Sequence, residues 1–266
     1  VGRAVAVAAL ALDAALGLAA GATLTHHAAP ALAATRAGDA WLAASLRQYI
    51  EWLVLGSPGG VKLNRDLCFL LGRGALIAVE LWEGSAAPFL HGRILPGALR
   101  LLCLAGAAGL SVQLCLLADF FGVGTSYVAA LAAAGGKVLS WQRAATGHTW
   151  RLVRGVMPNP VAGRPDLKVE GLRVERVIVG VLLCTPCVLL LPTTFAFHLV
   201  LASAAASLLA ARGLLQAAAL ALQGGPWLLA AARALRPGMF PSGVSFAPAS
   251  GGVPAGVRVL EMHAAS

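Results

Sequence analysis

The chain has 266 residues, of which 59% are hydrophobic and 12% charged, with a mean hydropathy of +0.80. A soluble domain carries about 25% charged residues, so this composition points to lipid as the solvent. The net charge of +9 and pI near 10.2 raise nucleic acid as a partner, but the sequence shows no stripe of cations interleaved with stacking aromatics, and that class is set aside.

Residues 4–24 are apolar except for Asp13 and lack a tripartite cleavage site, so 1–40 reads as a hydrophobic segment holding a retained span, with a signal anchor as the alternative. The first residue is Val1, and the chain reads as a fragment whose true N-terminus is missing. From 41 to 53 the large apolar residues Trp41, Leu42, Leu46, Tyr49, Ile50, Trp52 and Leu53 recur near helical spacing, with Arg47, Gln48 and Glu51 on the other side. That pattern predicts an interfacial amphipathic helix over 41–55, its Trp and Tyr at headgroup depth. The Gly56-Ser-Pro-Gly-Gly60 sequence stops it, and a second apolar stretch, 67–82, is interrupted by Gly72, Arg73 and Gly74, as in a re-entrant or interfacial helix.

The uncharged runs 101–118 and 120–136 are separated by little more than Asp119 and the Gly122/Gly124 pair, which predicts a helical hairpin over 101–136. Eight Lys or Arg follow between 137 and 176, against Asp166, Glu170 and Glu175. Under the positive-inside rule 137–176 is a cytosolic basic loop, and Arg93 and Arg100 put the start of the hairpin on the same side. Residues 177–211 then run for 35 positions without Asp, Glu, Lys or Arg, more than the roughly 20 that one upright span needs. With Pro186 and Pro192 as breaks, 177–232 reads as one span to about His198 leading into another. Rows of small residues, Ala202/Ala206/Ala210 and Ser203/Ser207/Ala211, have the spacing of a close helix contact, as the general alanine richness also would. The Pro-, Gly- and Ser-rich piece after Arg233 is expected to be irregular, with 248–266 as a tail. The fold class that results is all-α, a polytopic transmembrane helical bundle with interfacial amphipathic helices.

The chemistry is sparse. The sequence has no Asp-x-Asp, no pair of glutamates seven residues apart, no P-loop and no Gly-x-Gly-x-x-Gly. No catalytic residue, metal site or cofactor is therefore assigned. Cys184-Thr-Pro-Cys187 has redox-pair spacing but lies in the longest apolar run, where thiols behave as small hydrophobes. The five cysteines are odd in number and apolar in setting, unlike a secreted disulfide framework. His26-His27 lacks further ligands at helical spacing and reads as a solvated loop. Asp119 and Arg212 stand out, because an ionisable group within a span usually faces the bundle or a cavity. Arg212 is a candidate for a lipid phosphate or an acidic partner helix.

Several segments in order carry a resemblance: Gln48-Tyr-Ile-Glu-Trp-Leu53, Gly60-Val-Lys-Leu-Asn-Arg-Asp-Leu67, Leu81-Trp82, Ala108-Gly-Leu-Ser111, Trp141-Gln142, Trp150-Arg-Leu-Val-Arg-Gly155, Leu191-Pro-Thr-Thr194 and Pro241-Ser-Gly-Val-Ser-Phe246. Over most of 45–247 this series resembles the phosphatidylinositol glycan class Q family, and 41–247 is taken as the family-like membrane domain. The resemblance implies an accessory subunit of the endoplasmic-reticulum complex that moves N-acetylglucosamine from UDP-N-acetylglucosamine to phosphatidylinositol, the first step of glycosylphosphatidylinositol anchor synthesis. In that family a separate subunit supplies the glycosyltransferase fold. The partners it implies are the other subunits, including the catalytic one, and phosphatidylinositol.

Contacts to lipid or partner are expected at Trp52, Lys62 and Asn64 in the interfacial segment, at Trp150, Arg151 and Arg154 in the basic loop, and at Arg212. For Lys62, Asn64 and Asp66 a helix cap is the commoner use of such residues before an apolar stretch. Two other classes fit the same pattern less fully. A small transporter or channel would leave more ionisable groups inside its spans, and a lipid-modifying enzyme would rest on His198 alone.

Overall fold

The computed structural model describes residues 2–56, 63–157, 167–168, 174–224, 230, 233–234, 243–248 and 260–265. Helices dominate: α1 (Gly2–His26), α2 (Ala28–Leu55), α3 (Arg65–Leu81), α4 (Ala87–Phe89), α5 (Leu95–Ala105), α6 (Leu110–Gly124), α7 (Ser126–Val153) and α8 (Val174–Gly224). Two π turns, Trp82–Ala86 and Leu90–Ile94, flank α4. Strand β1 (Val156–Met157) pairs antiparallel with β2 (Leu167–Lys168), and β3 (Gly243–Pro248) with β4 (Leu260–Ala265). Among the described residues two helices are long and apolar enough to cross a membrane, within 7–26 and 174–223. There are three if the bent pair α6–α7 is one span. This is an all-α membrane protein with two small strand pairs.

Two compact units make up the chain. The first comprises 1–26, 101–117 and 214–266. In it one face of α1, with residues four apart, presents Asp13, Gly17 and Gly21. A Cβ on Gly17 would lie 2.5 Å from the Gly106 carbonyl oxygen, and one on Gly21 would lie 2.8 Å from the Cys103 carbonyl oxygen. Only glycine allows such an approach, and Gly17-x-x-x-Gly21 is the spacing that brings helices together in lipid. Asp13, buried, meets the start of α6: Ser111 donates to its carboxylate through N–H at 2.9 Å and through Oγ at 2.6 Å. A carboxylate there satisfies amides that the helix leaves open and faces the positive end of its dipole. Gln113 donates to the Leu102 carbonyl at 3.1 Å across the break between α5 and α6.

That break corrects the predicted hairpin. The run 101–118 is not one helix, because the chain turns at Gly106–Ala108 and at Gly109, whose φ of +129° is open to glycine alone. The second break lies at Thr125 rather than Asp119, and bends α6 against α7 by 54°. Asp119 sits inside α6.

The second unit comprises 27–100 and 118–213. Its core joins Ala43, Leu46 and Ile50 of α2, Ala75 and Val79 of α3, Tyr127 and Val128 of α7, and Leu201 of α8. Leu53, Cys68 and Phe197 form a second cluster, beside which α3 approaches α2 so closely that a Cβ on Gly72 would lie 2.3 Å from Val54. Helices α7 and α8 run antiparallel, with Val153 against Gly180, Gln142 against Cys187 and Gly136 against His198.

Four further expectations change. The interfacial helix over 41–55 is the C-terminal half of a longer α2, and its apolar residues divide. Leu46, Ile50 and Leu53 are buried, while Trp41, Tyr49 and Trp52 are 70%, 57% and 50% exposed. Residues 137–153 of the predicted basic loop are helical, because nothing from Ser126 to Val153 breaks a helix that buries one face and leaves its cations outside. The expected pair of spans in 177–232 is one continuous helix, α8, that contains both prolines and ends at Gly224. The small-residue rows on α8 include exposed Ala206, Ala210, Ser203, Ser207 and Ala211, and the inward row is Leu201, Ala204, Ala205 and Leu208. Of the expected irregular tail, 243–248 and 260–265 form a strand pair, and 249–259 lies outside the described residues.

Gly109→Ala should lower the unfolding free energy in micelles by about 1–3 kcal/mol, from backbone strain and a Cβ that would sit 2.3 Å from the Asp13 carboxylate. Gly124, with open space around its Cβ position, provides the control. Gly124→Ala should leave the unfolding midpoint unchanged or raised.

Candidate functional site

The polar residues of the resembling motifs converge at Pro192 of α8. Proline has no N–H, so the Val188 carbonyl one turn earlier loses its helical donor. At this level Gln142 of α7 donates its amide to the adjacent Cys187 carbonyl at 3.1 Å. Thr194 Oγ1 lies within bonding distance of Gln142 Oε1 and of the Leu191 carbonyl. Thr193 Oγ1, buried, accepts the Asn64 backbone N–H at 3.0 Å. Asn64 in turn is the N-cap of α3, its side chain accepting the Leu67 N–H at 2.9 Å. One node therefore ties the start of α3 and the middle of α7 to the proline turn of α8.

A second cluster surrounds the first π turn. Trp82 stacks on Tyr127 with ring centroids 4.7 Å apart, and its indole N–H points at Asp39 Oδ1 at 3.4 Å. His91 lies 3.5 Å from the other Asp39 oxygen. Arg36 donates to the His91 carbonyl, and Arg47 pairs with Glu83. Burial raises the Asp39 pKa, the Trp82 and His91 contacts oppose that, and nearby Glu83 adds to it. Sequence reasoning passed over this cluster, since neither π turn nor Asp39 carries a motif. The signal available was Leu81-Trp82 at the end of an apolar stretch.

The third feature is an ion pair. Arg212 of α8 donates through Nη2 to Asp119 Oδ1 of α6 at 2.7 Å. The guanidinium lies over Gly122, where a Cβ would be 3.1 Å from Nη1. The two charges singled out as separate oddities are thus each other's partners. Beside them is a shallow groove lined by Gly122, Thr125, Ala129, Ala205, Leu208, Leu209 and Arg212.

The structure does not gather the predicted contact residues into one place. Trp52 is half exposed on α2, Lys62 lies outside the described residues, and Asn64 is a helix cap. Trp150, Arg151 and Arg154 share the exposed end of α7. Arg212 sits with Asp119. No group of three His, Cys, Asp or Glu that could hold a metal occurs among the described residues.

The fold and these sites define a helical membrane protein whose inward polar side chains join helices to one another. The family described as "N-acetylglucosaminyl transferase component (Gpi1)" matches residues 4–242, and the chain belongs to that family. It is 25% identical over 202 residues to the "N-acetylglucosaminyl-phosphatidylinositol biosynthetic protein gpi1" of Schizosaccharomyces pombe, covering 76% of this chain and 30% of that one. It is 30% identical over 177 residues to "Phosphatidylinositol N-acetylglucosaminyltransferase subunit Q" of Homo sapiens, covering 65% and 22%. The Mus musculus protein of the same name is 30% identical over 162 residues, covering 60% and 26%. The chain thus spans less than a third of the length of these relatives. No solved structure matches.

For the ion pair, Asp119→Asn or Arg212→Gln alone should lower the yield of membrane-inserted chain, because each leaves one unpaired charge beside an apolar run. The double variant should recover most of that loss. Protease protection in microsomes reads the outcome.

Proposed function

We propose that the chain is a non-catalytic membrane subunit of the complex that transfers N-acetylglucosamine from UDP-N-acetylglucosamine to phosphatidylinositol. The family match over residues 4–242 carries this reading. Its relatives' names supply the reaction and the status of subunit. The geometry supports an accessory role. The buried carboxylate Asp13 and the half-buried Asp39 are engaged with Ser111 and with Trp82 and His91, and the polar node at Pro192 is engaged with backbone. The partners of this reading are the catalytic subunit and phosphatidylinositol, and its location is the endoplasmic-reticulum membrane. Contacts to them fall to Trp52 on α2 and to Trp150, Arg151 and Arg154 at the exposed end of α7. Lys62 and Arg212 complete the set.

Expression of the tagged chain in cells lacking the subunit Q relative tests the reading. Microsomes should regain N-acetylglucosaminyl phosphatidylinositol, and the catalytic subunit should co-purify with the tag. Product without this chain in the complex, or neither signal, would overturn it.

A further inference from the structure

The basic residues that the sequence places in a loop form a strip once 137–153 is seen as helix. Lys137, Trp141, Arg143, His148, Trp150 and Arg151 are all exposed, Trp141 and Trp150 by 69% and 54%. Arg154 follows as the exposed C-cap of α7. At about 100° per residue, Lys137, Trp141, His148 and Arg151 share an arc of roughly 80°, and Arg143, Trp150 and Arg154 a neighbouring one of roughly 40°. The opposite face is already occupied, since Leu139 is buried, Gln142 bonds the Cys187 carbonyl and Val153 abuts Gly180.

The strip has no internal counter-charge. The sequence holds no Asp or Glu between Asp119 and Asp166, and none of Lys137, Arg143, Arg151 and Arg154 has a carboxylate partner among the described residues. Its aromatic members are tryptophans, whose rings settle at headgroup depth. The helix alongside, α8, exposes Leu182 and Leu189 by 71% and 68%. The strip therefore borders a lipid-facing surface, which a nucleic acid could not follow.

We infer that the outer face of α7 over 137–154 docks on anionic glycerophospholipid headgroups, with Lys137, Arg143, Arg151 and Arg154 taking the phosphates and Trp141 and Trp150 set among the glycerol groups. Juxtamembrane cations near an anionic leaflet each add attraction that salt weakens. The inference deepens the lipid part of the proposed function. It is read on the isolated chain, so it stands or falls apart from assembly of the complex.

The experiment places the full chain in nanodiscs, with Trp141 or Trp150 as the single fluorescent tryptophan outside the bundle and half-buried Trp82 as reference. Quenching is compared between brominated phosphatidylserine and brominated phosphatidylcholine at equal fraction. The expected result is a severalfold preference for the anionic lipid at Trp141 and Trp150 and none at Trp82. That preference should disappear in Arg143→Gln/Arg151→Gln/Arg154→Gln and at high salt, and survive in the corresponding Lys variant. Equal quenching by both lipids would overturn the inference. So would absence of quenching, which would put the face in water or against protein, or a preference that the Gln variant keeps.

Discussion

Polar side chains inside an apolar run have no water to turn to, and the bonds they make to one another and to backbone beside Pro192 organise the second unit. In lipid each unsatisfied backbone polar group costs several kcal/mol, so polar side chains that bond beside a proline are strong ties between helices. Gln142 of α7 donates to the Cys187 carbonyl, next to the Val188 carbonyl that Pro192 leaves without its helical donor, and Thr194 holds the other end of the same amide. Thr193, one residue away, takes the Asn64 N–H at the start of α3. Because these bonds join segments 45 or more residues apart in sequence, the proline turn becomes a junction of three helices.

The first unit solves the same problem with charge. The Ser111 amide and hydroxyl at the start of α6 are met by Asp13 from α1, and the close approach that this requires is provided by Gly17 and Gly21 one and two turns along. In both units buried polar side chains serve as joints between helices. This gives the motif series of the family a physical meaning. Gln142, Leu191-Pro-Thr-Thr194, Asn64 and Gly109-Leu-Ser111 are the pieces of the joints.

Much of this was legible in the sequence where one helix decides the matter. The apolarity of 177–211 marked α8, and Asn64 before an apolar stretch marked a cap. What failed depended on a second helix. Pro186 and Pro192 looked like breaks because the bonds that tie the Pro192 turn to its neighbours come from α7 and from the start of α3. Asp119 looked like a turn because its partner, Arg212, is 93 residues away. The basic stretch after 137 looked like a loop because the apolar face that keeps it helical is narrow. The spacing Gly17-x-x-x-Gly21 was visible but hidden by surrounding alanines.

Gln142 and Thr194 act as one unit at the proline turn. A double-mutant cycle with Gln142→Ala and Thr194→Val, read by denaturant unfolding in nanodiscs, tests it most directly. Contacting residues in one hydrogen-bond network couple by about 0.5–3 kcal/mol, and a value in that range is expected, with faster amide exchange in α8 around Leu191 in each single variant. Strictly additive losses with unchanged exchange would contradict it.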